Sequence, residues 1–222
     1  MAFTPFTMDD FDMLDGSRVG ANTIHERLML LAYEVNRLLK QRNAECASVV
    51  AKPVLTRHAD ARRAGWAGWL PTFNGIPDPM LSPLSRTPSV SVFVMGRDNF
   101  KGESPGLEIL TEFGDGRRLI RERNAFLRRI VQGDFLGFTF LGKEMSLKLR
   151  GLHEAAVPLD SPDSFGVFQR DMLKRYSARS HYAVVGRFIT PAGAVALGES
   201  AVEVVAESVR RLLLLFSNFK SG

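Results

Sequence analysis

The chain closes with a strand followed by a long amphipathic helix, and this pair constrains the fold more than any other stretch. His181-Tyr-Ala-Val-Val-Gly-Arg-Phe-Ile189 is β-branched and aromatic, with Gly186 as its one breaker, so it reads as a strand. Thr190-Pro191 ends it, and after a small-residue stretch a helix is predicted from about Glu199 to Phe216. On a 3.6-residue period Val202, Val205, Val209, Leu212, Leu213 and Phe216 fall on one face and Glu203, Glu207 and Arg210 fall opposite. Leu214 lands on the polar stripe, which predicts a last turn buried all round. Glu207 and Arg211 stand at i,i+4 in the favourable order. Such a helix has to pack on a sheet.

The rest of the chain supplies partners for it. Phe11 and Leu14 point inward from a short helix ended by Gly16 and Gly20. Asn22 or Thr23 then caps a long helix to about Ala47, with Glu26 three residues beyond Thr23 as a capping box requires. Leu28, Leu31, Val35, Leu38 and Leu39 form its apolar stripe. Val49–Leu55, Ser89–Met95 and Leu107–Phe113 read as strands, and Arg117–Gln132 as a helix stopped by Gly133-Asp134. Phe135–Leu141 and Met145–Leu149 read as a hairpin across Gly142-Lys143, residues 151–164 as a loop, and Phe165–Tyr176 as a helix capped by Asp163 or Ser164. Residues 71–88 hold Pro71, Pro77, Pro79, Pro83 and Pro88, a density that predicts a surface loop.

Helices alternating irregularly with short strands point to an α+β fold rather than a doubly wound parallel sheet. The expectation is a single domain over residues 1–222, its mixed or antiparallel sheet of about four to six strands packed by the long N-terminal and C-terminal helices. With 222 residues, 45% of them apolar, the chain is long enough to bury a full core. Its formal charge of +5 is compatible with nucleic acid, anionic metabolites or neither. The single cysteine, Cys46, excludes an internal disulfide and a cysteine-rich metal site. The opening residues lack a signal-peptide pattern, and the apolar run Leu212–Phe216 is far short of a membrane span. A cytoplasmic protein with no membrane partner is expected.

Several stretches together resemble a known group: Phe6-Thr-Met-Asp-Asp-Phe11 before a long amphipathic helix, Leu147-Lys-Leu-Arg-Gly151, Phe168-Gln-Arg-Asp-Met-Leu-Lys-Arg175, and a strand reaching Arg187 before a helix that ends Leu-Leu-Leu-Leu-Phe. This order is similar to that of a superfamily of bacterial domains of unknown function, the YktB-like group and its relatives. The likeness covers both ends, about half the chain. In the middle, the basic aromatic segment of the relatives is matched only by Lys52, Arg57, Arg62, Arg63 and Trp66. The resemblance implies an α+β fold and supplies no activity.

Two constellations carry chemistry. Arg117-Arg-Leu-Ile-Arg-Glu-Arg-Asn-Ala-Phe-Leu-Arg-Arg129 holds six arginines in thirteen residues. On a helix Arg117, Arg121 and Arg128 share one outer face, suited to successive phosphates. The competing reading is a solvated face paired with Glu112, Glu122 and Asp134. The second constellation, Arg57, His58, Arg62 and Arg63 with Trp66 and Trp69, is suited to clamping and stacking a nucleotide or single strand. Its competing reading makes the tryptophans core anchors.

His25, His58, His153 and His181 are scattered with no pair at ligand spacing, so no metal site or cofactor is expected. There is no nucleophile elbow, dinucleotide fingerprint or phosphate-binding loop, and no catalytic motif. The leading expectation is therefore a non-enzymatic binding protein for an anionic ligand, nucleic acid first. One alternative is an enzyme acting on a small phosphorylated or carboxylated metabolite, with His58, Arg62 and His153 beneath the proline-rich loop. Another is a scaffold or complex subunit that docks a protein partner through that loop and the apolar C-terminal turn.

Overall fold

A computed structural model describes residues 2–12, 18–42, 53–57, 69–74, 89–95, 104–113, 120–150, 156–175 and 182–220. Helices α1 (Asp9–Asp12) and α2 (Arg18–Arg42) precede the strands β1 (Pro53–Arg57), β2 (Trp69–Asn74), β3 (Ser89–Met95) and β4 (Gly106–Phe113). Then come α3 (Ile120–Val131), a 3-10 helix (Leu136–Leu141), β5 (Ser146–Arg150), β6 (Val157–Pro158) and α4 (Pro162–Arg175). Strand β7 (Tyr182–Ile189), α5 (Pro191–Leu197), a 3-10 turn (Gly198–Ser200) and α6 (Ala201–Lys220) finish the chain.

The expected α+β class holds. Among the described residues seven strands form one sheet in the order β1-β2-β3-β4-β7-β5-β6, and every neighbouring pair is antiparallel. The strand beyond the expected four to six is the two-residue β6, inside the segment read as a loop. Because β4 and β5 both run antiparallel to β7, they are parallel to each other. The chain crosses from one to the other through α3 and leaves a slot that β7 later fills.

Strand alternation divides the sheet into two faces. Val90, Val92, Val94, Leu107, Ile109, Leu147, Leu149, Ala183 and Val185 face the helix layer and form one core with Leu28, Leu31 and Val35 of α2 and Val205, Val209 and Leu212 of α6. Helix α6 crosses β3, β4 and β7, with α2 beside it over β1 and β2. Its predicted stripe is borne out at Val205, Val209, Leu212 and Leu213, which are buried, while Glu203 is exposed and Leu214 half-buried. On the opposite face Phe93, Met95, Leu110 and Val184 form a smaller buried cluster, with Phe188 packed against it.

Several local expectations are corrected. Residues 136–141 form a 3-10 helix, not a hairpin strand: Phe138 and Leu141 are buried three residues apart, a period of three rather than two. Strand β5 pairs with β6 and β7 instead. Helix α2 begins at Arg18, so Thr23 and Glu26 lie inside it rather than at its start. The small-residue stretch after Thr190 is helix α5: the Thr190 hydroxyl accepts from the Gly193 N–H and Pro191 occupies the first turn. Pro71 belongs to β2, opposite Leu55 of β1, so the proline-rich segment does not begin there. Residues 75–88 lie outside the described residues.

Candidate functional site

Helix α3 owes its place to Phe126 and Ile130, both fully buried, with the Phe126 ring edge-on to Phe138 at 5.6 Å between centroids. Anchoring that side leaves Asn124, Arg128, Val131 and Gln132 exposed on the other. Arg128 donates from Nε to the Asn124 carbonyl of its own helix at 3.3 Å, and no carboxylate of the described residues pairs with it. Arg121 stands seven residues earlier on the same helical stripe, roughly 10 Å away along the axis. The neighbouring Arg129 is different. It pairs with Asp134 at 3.2 Å, and that carboxylate also accepts the Gly137 N–H at 3.0 Å. The paired reading therefore holds for Arg129, which ties the end of α3 to the 3-10 helix. Arg117 lies outside the described residues, as does the side chain of Arg121.

In the second constellation Arg57 and Trp69 form the last register pair of the β1–β2 hairpin. Residues 58–68, which carry His58, Arg62, Arg63 and Trp66, connect the two strands and lie outside the described residues. Phe73 of β2 is in register with Val90 of β3, whose side chain is in the core under the helices.

Sequence reasoning missed a charge pair on the other face. Glu108 of β4 and Lys148 of β5 are both buried, with the ammonium 4.0 Å from the carboxylate and 5.5 Å from the Phe188 ring centroid, within cation–π range. In register, Lys148 sits opposite Val184 and Glu108 opposite Phe188, on the two sides of β7. The lysine therefore runs diagonally over Gly186, the one residue of that row without a side chain. Each charge stands singly between apolar residues, Leu107-Glu-Ile109 and Leu147-Lys-Leu149. That pattern normally marks a half-exposed strand, so the signal for burial was absent.

Two further ionic clusters fasten elements together. Arg27 of α2 binds the Asp10 carboxylate at 2.6 Å and donates to the Pro5 carbonyl, while Asp10 accepts the Thr7 N–H at 2.6 Å. On α6, Glu207 accepts from Arg210 and Arg211, and Arg211 also donates to the Leu141 carbonyl at 2.9 Å. The Arg210 bond foremost, with Arg211 adding to it, holds the Glu207 carboxyl at about 2 even though partial burial opposes the shift.

Among the described residues no three histidine, cysteine, aspartate or glutamate side chains converge on a metal position. Cys46, His58, His153 and His181 lie outside them, as does the side chain of His25. No helix of the described residues is long and apolar enough to cross a membrane. No family model matches the chain, and no curated protein or solved structure is significantly similar to it.

Proposed function

We propose that this is a non-enzymatic, cytoplasmic binding protein for an anionic ligand, with nucleic acid as the favoured class. The observation that carries the reading is Arg128: exposed on α3, without a carboxylate partner among the described residues, and on one stripe with Arg121. A cation already neutralised by the fold, as Arg129 is by Asp134, gains little from a phosphate. An arginine that the fold leaves without a carboxylate releases counterions when it meets a phosphate. The formal charge of +5 favours approach of a polyanion. Arg57, at the end of β1, and Arg62 and Arg63, which follow it in sequence, supply further cations, and Trp66 an aromatic face.

The test compares binding of labelled single- and double-stranded DNA and RNA by the wild-type protein, R121E/R128E, R57A and W66A, with circular dichroism as the folding control. Charge reversal on α3 is expected to leave the fold intact and weaken binding at least about tenfold, in keeping with loss of two phosphate contacts. Unchanged binding in R121E/R128E would remove α3 from the interface. An unfolded double variant would contradict the proposed ligand-facing role of the two arginines.

A further inference from the structure

The end of α3, the 3-10 helix and α4 form one surface. Gln169 of α4 donates from Nε2 to the Val131 carbonyl at 2.8 Å, and the Phe135 ring lies against Phe165 at 5.8 Å. Phe165, Gln169 and Leu173 are spaced four residues apart, so they form one row of α4 running along this junction. Leu173 at the end of that row and two side chains from the other two elements stand in water: Val131 is 51% exposed, Leu136 79% and Leu173 59%. Scattered exposed apolar residues need no explanation, but three around one helix junction do.

The rim of this surface is basic. Arg170 and Lys174, one and five residues beyond Gln169 on α4, are exposed and have no carboxylate partner among the described residues. Arg128 stands one turn before Val131 on α3, at the boundary with the proposed nucleic-acid face. The nearby acids Asp134 and Asp171 are engaged with Arg129 and Arg175 at 3.2 and 3.9 Å. A narrow apolar strip flanked by unneutralised cations complements a helix with leucine-type residues at i, i+3/i+4 and i+7 and acids on its flanks. Phosphates alone would leave Leu136 and Leu173 without a role.

We propose that the α3–α4 junction docks an acidic amphipathic helix of a protein partner. The apolar strip takes the hydrophobic stripe of that helix, and Arg170 and Lys174 take its flanking carboxylates. Electrostatics then sets approach and orientation, and the buried leucines hold the complex.

The probe is a fluorescent designed peptide with leucines on one helical face and glutamates beside them. Its control is a scrambled peptide of identical composition. The full chain is titrated as wild type, as L136D/L173D and as R170E/K174E, with Arg128 left intact. Saturable binding of the amphipathic peptide, weakened about tenfold or more in either variant and absent for the scrambled control, is the expected result. No saturable binding overturns the proposal, as does equal binding of the scrambled peptide. So does preferential loss, in L136D/L173D, of binding to phosphatidylserine vesicles or to nucleic acid rather than to the peptide. All four substituted side chains are exposed, so the variants are expected to fold, and circular dichroism verifies it. Failure here leaves nucleic-acid binding by R121E/R128E as a separate measurement.

Discussion

Lys148 reaches across β7 above Gly186 to stand 4.0 Å from Glu108, and both groups are buried on the sheet face away from the helices. A Cβ on Gly186 would fall 2.6 Å from the Ile109 carbonyl oxygen and 2.6 Å from the Leu110 Cβ. The glycine thus permits both the close approach of β4 to β7 and the diagonal path of the lysine. Removing one charge takes away the opposite charge that faces the other across β7. K148M is expected to cost about 3–5 kcal/mol in urea unfolding, whereas E108L/K148M should recover most of that loss. A K148M protein as stable as wild type would refute the buried pair.

The N-terminal segment is held by the Arg27–Asp10 pair together with Phe3, Phe6 and Phe11, whose rings contact in sequence at 5.5 and 6.1 Å. D10A leaves the Arg27 guanidinium facing the Pro5 carbonyl without its carboxylate. A loss of about 2–3 kcal/mol and faster hydrogen exchange at residues 2–12 is expected. Exchange mass spectrometry checks whether the loss is local to that segment.

Glu207 gives a pH dependence whose direction is fixed. Its folded-state carboxyl lies at about 2 against an ordinary 4.5, so the unfolded chain takes up the proton first as pH falls. The stabilising contribution is complete above pH 4.5 and is lost progressively down to about pH 2. Because the group is about one-third exposed, solvent screening reduces its size. The stability gap between wild type and E207Q is expected to narrow across that window and to stay constant from pH 6 to 8, as unfolding curves at each pH would reveal.

Much of the architecture was legible because it rests on periodicity. The α6 stripe, the α2 stripe and strands β3, β4 and β7 follow directly from where the apolar residues fall. What was not legible depended on tertiary neighbours. Phe135–Leu141 has the β-rich composition of a strand, yet Phe138 and Leu141 are drawn together under α3 and α6 as a 3-10 turn. Thr190-Pro191 reads equally as a strand stop and a helix start, and the Gly193 N–H decides for the helix. For the candidate site, composition alone identified the α3 arginines. Which of them is already neutralised depends on Asp134, five residues beyond Arg129 and brought back by the Gly133 turn. Glu108 and Lys148 left no mark, since only the sheet order reveals that β7 sits between their strands.

The most direct test of the central claim is the salt dependence of nucleic-acid binding, measured by fluorescence anisotropy from 50 to 300 mM salt. Contacts from Arg121, Arg128 and the basic residues near the β1–β2 hairpin predict a slope of log K against log salt of about −3 or steeper, made shallower by about 1–2 in R121E/R128E. Absence of binding at the lowest salt, or a slope near zero, would contradict the account.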